Sequence, residues 1–294
     1  MTVDIASKTE VLVEALPYIE EYEGKTLVIK YGGAAMVNQE LREDFGRDVA
    51  LLKRIGIDVV IVHGGGREIT TVAEKMGVPS RFVNGLRYTN GEMMDVVQMV
   101  LAGKTNQDVV AGINRFAGMS VGLCGIDADL LKVTKHTGEG SDLGFVGEVT
   151  EVNTAYLRLL LEQRILPVIA PIGVDADGRP HNINADAAAS SIAGAISAEK
   201  LVYLSDVPGV IANGSLIPTL DQDEAARLIE EGVVGEGMIP KIRSAFAALD
   251  EGVGKVHIID GRVRHAILLE ILTKDGIGTE IVHAGEVRAG ARSS

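Results

Sequence analysis

The feature that most restricts how this chain can fold is a pattern that occurs twice near its amino end. Residues 26–29 form a short apolar run that ends on Lys30 and breaks at once into Gly32-Gly33. Residues 58–62 form a second such run, which breaks into His63-Gly64-Gly65-Gly66. An apolar run of this length without polar alternation reads as a strand buried on both faces, the kind found in parallel sheets. Glycine after such a strand lets the backbone turn sharply and lets a ligand approach its N–H groups. Between the two runs, Leu41, Phe45, Val49, Leu52 and Ile55 recur on one helical face, with Asn38 able to cap the start and Gly56 the end. A second helix follows from about Arg67 to Met76, stopped by Gly77. Residues 26–76 therefore predict strand, helix, strand, helix: a parallel α/β unit.

The same reading extends along the chain. Asn84-Gly85 predicts a β-hairpin that delivers Arg87 just past its turn. Helices are expected over 91–102 and 106–116, and short strands near 119–123, 130–135 and 145–149 as an antiparallel patch. A helix at 154–163 and a strand at 166–171 return to the α/β pattern. Asp175–Gly178 is a turn, read as the boundary between two lobes. After it come a small-residue helix up to Ile196, strands at 200–204, 255–259 and 278–282, and helices at 222–231, 239–250 and 263–272. Ahead of the first strand, residues 7–23 carry Leu12, Ala15, Leu16, Ile19 and Tyr22 at helical spacing, with Pro17 expected to kink the helix. This helix is a candidate for contact with another subunit. The tail 286–294 is polar.

Composition narrows the function. Apolar residues make up 46 %, enough for a core, and with no tryptophan and 4 % aromatics that core is aliphatic. A formal net charge of −13 argues against nucleic acid or an anionic membrane as partner. Anionic substrates must then be held by a few placed cations and backbone amides. The single cysteine, Cys124, excludes an internal disulfide, and the six histidines show no metal-cage spacing. No signal peptide and no run of membrane-spanning length is visible, so a cytoplasmic protein is expected. The dinucleotide pattern G-x-G-x-x-G is missing, which disfavours a nicotinamide oxidoreductase. Gly103-Lys104-Thr105 imitates the end of a P-loop, but Gln98 stands where its first glycine belongs.

What remains is a set of polar residues at element ends: Lys30, Arg87, Asn182, Asp186 and Lys241. In the stretch 235–241, GEGMIPK, Pro240 suits a helix's first turn and places Lys241 there, beside free N–H groups. Two lysines and two glycine turns, with no evident base or nucleophile, suit phosphoryl transfer to an acceptor that is already ionised. Such a reaction needs positioning and charge neutralisation rather than proton removal.

Seven stretches in order, VIKYGG (28–33), IVHGGG (61–66), NGLRYT (84–89), LGFVGEV (143–149), NINAD (182–186), GMIPK (237–241) and HIIDGR (257–262), resemble the amino acid kinase superfamily and, within it, the acetylglutamate kinase family. The resemblance spans about residues 10–283. It implies a three-layer α/β/α sandwich with a mainly parallel central sheet, preceded by an extra kinked helix. It divides the chain into an oligomerisation helix (1–24), an acetylglutamate-binding lobe (25–175) and a nucleotide-binding lobe (176–294). The implied reaction is ATP-dependent phosphorylation of the side-chain carboxylate of N-acetyl-L-glutamate in arginine biosynthesis, with Mg2+ held mainly by the nucleotide. Lys30 and Lys241 match the lysines that stabilise the transferring phosphoryl group, and Asp186 the carboxylate that orients both. Gly32, Gly33 and Gly64 match phosphate-binding backbone, and Gly65, Gly66, Arg87 and Asn182 match the acetylglutamate site. No metal-ligating residue is implied.

The stretches EALPYI (14–19), HIIDGRVRHAILLE (257–270) and GIGT (276–279) resemble the arginine-sensitive branch of that family. They imply a homohexamer, a trimer of dimers, inhibited by arginine bound near Tyr18, His257, Glu270 and Gly276. The chain departs from the family at Arg67, Tyr88, Ile126 and Glu236. These departures keep open a sister kinase acting on carrier-linked aminoadipate, although NGLRYT and NINAD favour acetylglutamate. A non-catalytic amino-acid sensor on the same fold would lack a reactive lysine, and both lysines are present.

Overall fold

Eight strands form one sheet, and their order sorts the chain into halves. In the computed structural model, which describes residues 5–137, 142–235 and 237–283, these strands are β1 (Thr26–Tyr31), β2 (Asp58–His63), β3 (Ser120–Cys124), β4 (Leu166–Ala170), β5 (Lys200–Ser205), β6 (Thr219–Leu220), β7 (Lys255–Asp260) and β8 (Thr279–Ile281). The order across the sheet is β6-β8-β7-β5-β1-β2-β4-β3. Every neighbouring pair is parallel except β7 and β8. All strands before residue 175 lie on one side of the β1–β5 seam, counting β1 with them, and all later strands lie on the other.

Period-two alternation along each central strand splits the core into two layers. Val28, Val60, Val62, Leu201, Tyr203, Val256 and Ile258 face one side. There they meet Ala188, Ala189 and Ile192 of the helix Ala185–Ala195, and Ile242, Ala245 and Leu249 of the helix Ile239–Asp250. Leu27, Ile29, Val59, Ile61, Val202 and Leu204 face the other side, against Phe45, Val49 and Leu52 of the helix Gln39–Arg54 and Ile267 and Ile271 of the helix Ala266–Leu272. The sandwich of helices, sheet and helices expected from the sequence is thus the observed one. Asn38 caps its helix as expected, its Oδ1 accepting from the Leu41 N–H at 3.2 Å. Gly77 ends the Gly66–Met76 helix in the left-handed conformation.

Two expectations are corrected. The strand near 119–123 does not join the antiparallel patch; as β3 it is the edge strand of the main sheet, parallel to β4. Its five residues carry no mark of which sheet will take them, and the choice is made by the β4 edge that lies open beside it. The patch itself holds Leu131–Lys135 and Gly147–Val152, with Ile172–Val174 and Pro180–Asn182 completing four strands. The helices at 91–102 and 106–116 are not separated: Gly91–Gln98 runs through a π-helical segment, Met99–Thr105, into Asn106–Asn114.

The Asp175–Gly178 turn is the tip of the hairpin joining Ile172–Val174 to Pro180–Asn182, closed by Asp175 Oδ1 accepting from the N–H groups of Asp177 and Arg179. The amino-terminal helix Ile5–Tyr22 continues through Pro17 as one element. Tyr22 is buried, and Ala15, Tyr18 and Ile19 pack against the second core layer, while Leu16 is exposed. The expected contribution of Leu12 to an apolar face, and the tail 286–294, lie outside what is described.

Candidate active site

Parallel strands deliver their carboxyl ends to one edge of the sheet, and the candidate residues gather there. Lys30 is aligned across the sheet with Val62 on β2 and Tyr203 on β5. The turn after it requires glycine: Gly33 has φ 67°, and a Cβ there would run into the carboxylate of Asp206. That carboxylate follows β5, and its Oδ1 accepts from the Ala34 N–H at 2.5 Å, tying the first glycine loop to the far half of the sheet.

Asp186 stands in the first turn of the helix Ala185–Ala195, whose cap Asn184 accepts from the Asp186 and Ala187 N–H groups at 2.9 and 3.2 Å. Its two carboxylate oxygens are divided between the lysines. Lys30 Nζ is 3.0 Å from Oδ1, and Lys241 Nζ is 2.5 Å from Oδ2. Lys241 stands in the first turn of the helix Ile239–Asp250, directly after Pro240. Its ammonium lies 5.1 Å from the centre of the Tyr203 ring. The hydroxyls of Tyr203 and Ser244, 3.0 Å apart, both reach the Asp186 carbonyl at 3.3 Å and fix its backbone.

All three charged side chains are largely shielded, at 12–21 % exposure. Burial pushes the Asp186 carboxyl upward, but the two ammonium groups outweigh it and hold the group at about 2. Lys241 is drawn below the ordinary lysine range, by burial first and by the Lys30 charge, against the pull of Asp186. Two cations on one anion leave a net positive charge in a shielded place, a setting for stabilising negative charge that develops nearby.

A cleft of about 260 Å³ opens beside Lys30, lined by Gly32, Gly33, Gly64, Gly65, Gly66, Arg87 and Asn182. The Asn84-Gly85 hairpin forms as expected and buries Arg87, which is 7 % exposed. One terminal nitrogen of Arg87 donates to Ser80 Oγ at 2.9 Å; the other donates to the Gly66 carbonyl at 2.8 Å and to Thr70 Oγ1 at 2.9 Å. Asn182 Nδ2 donates to Thr89 Oγ1 at 3.3 Å, and that hydroxyl donates to the Arg87 carbonyl at 2.9 Å, linking the two candidate substrate residues. Asp186 and Lys241 do not line the cleft; they meet it through Lys30.

His257, Glu270 and Gly276 gather elsewhere, by the helix Ala266–Leu272. Glu270 Oε1 is 2.6 Å from His257 Nδ1, and its Oε2 accepts from the N–H groups of Ile277 and Gly278 at 2.6 and 3.1 Å. These partners overcome the effect of burial and hold its carboxyl at about 2. Gly276, with φ 63°, leaves room that a side chain would take from this carboxylate. Tyr18 packs on the same core layer from the amino-terminal helix.

Sequence reasoning passed over Asp206, Asn184, Tyr203 and Ser244. A signal existed for Asp206, which follows an apolar strand just as the first glycine turn does; the others act only through folded contacts. Among the departures, Arg67 reaches Asp206 Oδ2 at 3.6 Å, Arg81 lies over the Tyr88 ring, and Ile126 packs on a satellite apolar cluster. Glu236 lies outside the described residues.

The profile of the "Amino acid kinase family" matches residues 25–260. An acetylglutamate kinase of Aquifex aeolicus is 54 % identical over 293 residues, covering 95 % of this chain and 98 % of that one. An acetylglutamate kinase of Chlorobium chlorochromatii is 53 % identical over 274 residues, covering 93 % and 96 %. Among solved structures, an N-acetylglutamate synthase from Neisseria gonorrhoeae, complexed with coenzyme A and N-acetyl-glutamate, superposes with a TM-score of 0.84 at 29 % identity over 93 % of this chain and 63 % of that longer one. A carbamate kinase from Giardia lamblia shares the fold, with a TM-score of 0.67 at 16 % identity over 88 % of this chain and 99 % of its own. The chain belongs to the amino acid kinase family, among its acetylglutamate kinases.

Proposed function

We propose that this chain transfers the γ-phosphoryl group of ATP to the side-chain carboxylate of N-acetyl-L-glutamate, a step of arginine biosynthesis, giving ADP and the acyl phosphate. The observation that carries the reading is the pair Lys30, at the end of a central strand, and Lys241, in the first turn of a helix, brought onto one carboxylate beside a glycine-lined cleft. A free glutamate side chain has a pKa of roughly 4.3, so the acceptor is ionised at neutral pH and no base is needed. Catalysis then rests on alignment and on charge. Lys30 and Lys241 stabilise the phosphoryl oxygens, Asp186 holds both ammonium groups in place, and the glycine turns offer backbone N–H groups. Arg87 and Asn182 hold the acetylglutamate end of the cleft.

Magnesium held by the ATP phosphates would neutralise part of their charge. The residues present fit an ion carried by the nucleotide, since both Asp186 oxygens already face ammonium groups.

The proposal extends to regulation and assembly. Arginine, bound by Glu270, His257, Tyr18 and the Gly276 turn, inhibits a homohexamer in which the amino-terminal helix joins dimers. Glu270, held anionic on the helix that packs against the amino-terminal one, supports this reading. To admit a cationic ligand it must exchange part of its present hydrogen-bond set. The enzyme is cytoplasmic on this view; no described helix is long and apolar enough to cross a membrane.

A coupled ADP-release assay with acetylglutamate, glutamate, aspartate and acetylaminoadipate tests the function. Turnover with acetylglutamate far above the others is expected, and a preference for acetylaminoadipate would reassign the substrate.

A further inference from the structure

His63 ends β2 directly before the triple-glycine turn, and its side chain is wholly buried. Its two ring nitrogens face different partners. Nδ1 lies 2.8 Å from the Gly64 carbonyl, an acceptor, so Nδ1 carries the proton. Nε2 lies 3.1 Å from Asn106 Nδ2, a donor, so Nε2 is bare. The Asn106 amide is oriented independently of the histidine. Its Nδ2 also faces the carbonyls of Val168 at 2.9 Å and Leu123 at 3.3 Å, which only an N–H group can satisfy. Asn106 is seated against β3 at Gly122, where any Cβ would overlap Oδ1. Burial keeps the imidazole neutral, drawing its pKa down to about 4.

A consequence follows for the turn. The peptide unit is planar and trans, so the Gly64 carbonyl and the Gly65 N–H point in opposite directions. With the carbonyl held toward His63 in the interior, the Gly65 N–H is aimed outward, toward the cleft that Gly65 lines. Two successive glycines would otherwise let this peptide rotate, since neither has a Cβ to resist it. Neighbouring contacts complete the hold. The Gly64 N–H donates to the Tyr31 carbonyl at 2.8 Å, and a Cβ on Gly65 would stand 2.5 Å from Leu101. Leu101 lies in the π-helical segment that runs directly into Asn106, and such segments recur at functional sites.

We propose that His63 and Asn106 are positioning residues: a neutral imidazole protonated on Nδ1 locks the Gly64–Gly65 peptide so that the Gly65 N–H meets the anion in the cleft. The inference deepens the phosphoryl-transfer reading and rests on it for its kinetic arm. The rival explanation is a buried polar pair that only fills the core.

Two measurements separate these. In the full chain labelled with 15N-histidine, long-range proton–nitrogen correlation should show His63 as the neutral Nδ1–H tautomer, unchanged between pH 8 and pH 6. The signal is assigned by its loss in His63→Asn. An Nε2–H tautomer would overturn the proposal. The kinetic arm uses shape. His63→Asn places an amide N–H where Nδ1 stood, and His63→Gln places one where Nε2 stood. Turnover should fall about 100-fold in His63→Gln, the scale of a small misplacement of a reacting group, and less than about tenfold in His63→Asn, with the Michaelis constant for ATP unchanged in both. Thermal unfolding checks that each variant is folded. Equal losses in two folded variants would show the pair to be filler. If the unaltered protein turns over no acceptor, the kinase reading fails, while the tautomer measurement still decides the lock.

Discussion

Asp186 holds two ammonium groups, those of Lys30 and Lys241, and on the proposed function its charge positions both. Removing one ammonium group from a shielded site costs on the order of 3 kcal/mol of transition-state stabilisation. Lys241→Ala should therefore lower turnover by about 100-fold or more and change the Michaelis constant for ATP far less, as steady-state kinetics would show. Arg87→Lys should raise the Michaelis constant for acetylglutamate by about tenfold and leave that for ATP near its original value. A lysine cannot span Ser80, Gly66 and Thr70 as the guanidinium does. Equal weakening of both substrates would mark Arg87 as structural. Acid sensitivity follows from the same charges. Asp186 and Glu270 are held at about 2 against ordinary values of 3.8 and 4.5. Because both are depressed in the fold, their stabilisation is present above those ordinary values and is lost as pH falls toward about 2. Each group contributes on the order of 2 kcal/mol. Urea unfolding between pH 6 and pH 3 should show the decline, and Glu270→Gln should make it shallower.

At the scale of elements, what the sequence disclosed was local. An apolar run that stops on Lys30 or His63 and turns through glycine says where a strand ends, and parallel strands end together, so the site's edge could be read from two motifs. Asn84-Gly85 and Pro240 placed Arg87 and Lys241 by turn and cap chemistry alone. Partnership between distant elements left no such trace. Nothing in residues 120–124 distinguishes the main sheet from the smaller one, and Gly103 gave no sign that its helix would continue through a π-turn. Asp206 was visible as a strand-end carboxylate, but its hold on Ala34 exists only once β1 and β5 pair. The glycines test this division between local and distant causes. Gly33→Ala forces a side chain onto a left-handed φ and against Asp206, and should cost about 1 kcal/mol or more of stability. Gly66→Ala meets nothing within 4 Å and should melt near the parent temperature, yet lose activity because the residue lines the cleft. Calorimetry alongside the ADP-release assay would read both.

At the scale of the whole molecule, the helix Ile5–Tyr22 touches the rest of the chain chiefly by the helix Ala266–Leu272, where Lys274 N–H donates to Glu14 at 3.2 Å. The sheet is complete without it. Deleting residues 1–23 should therefore leave an active enzyme of smaller assembled mass that no longer responds to arginine, as light scattering and inhibition curves would report; normal inhibition of the truncated form would detach the helix from regulation. The strand order has a further outcome, which concerns synthesis rather than catalysis. Among the described strands β1 is made first, but its second neighbour, β5, does not begin until Lys200. While the ribosome adds the intervening residues, at rates that make this roughly ten to thirty seconds, the newborn half-sheet presents β1 as a bare edge with unpaired backbone groups. Nascent chains that stall before Lys200 should consequently be the ones that engage chaperones or aggregate, since the strand carrying Lys30 is closed off only by residues still inside the ribosome.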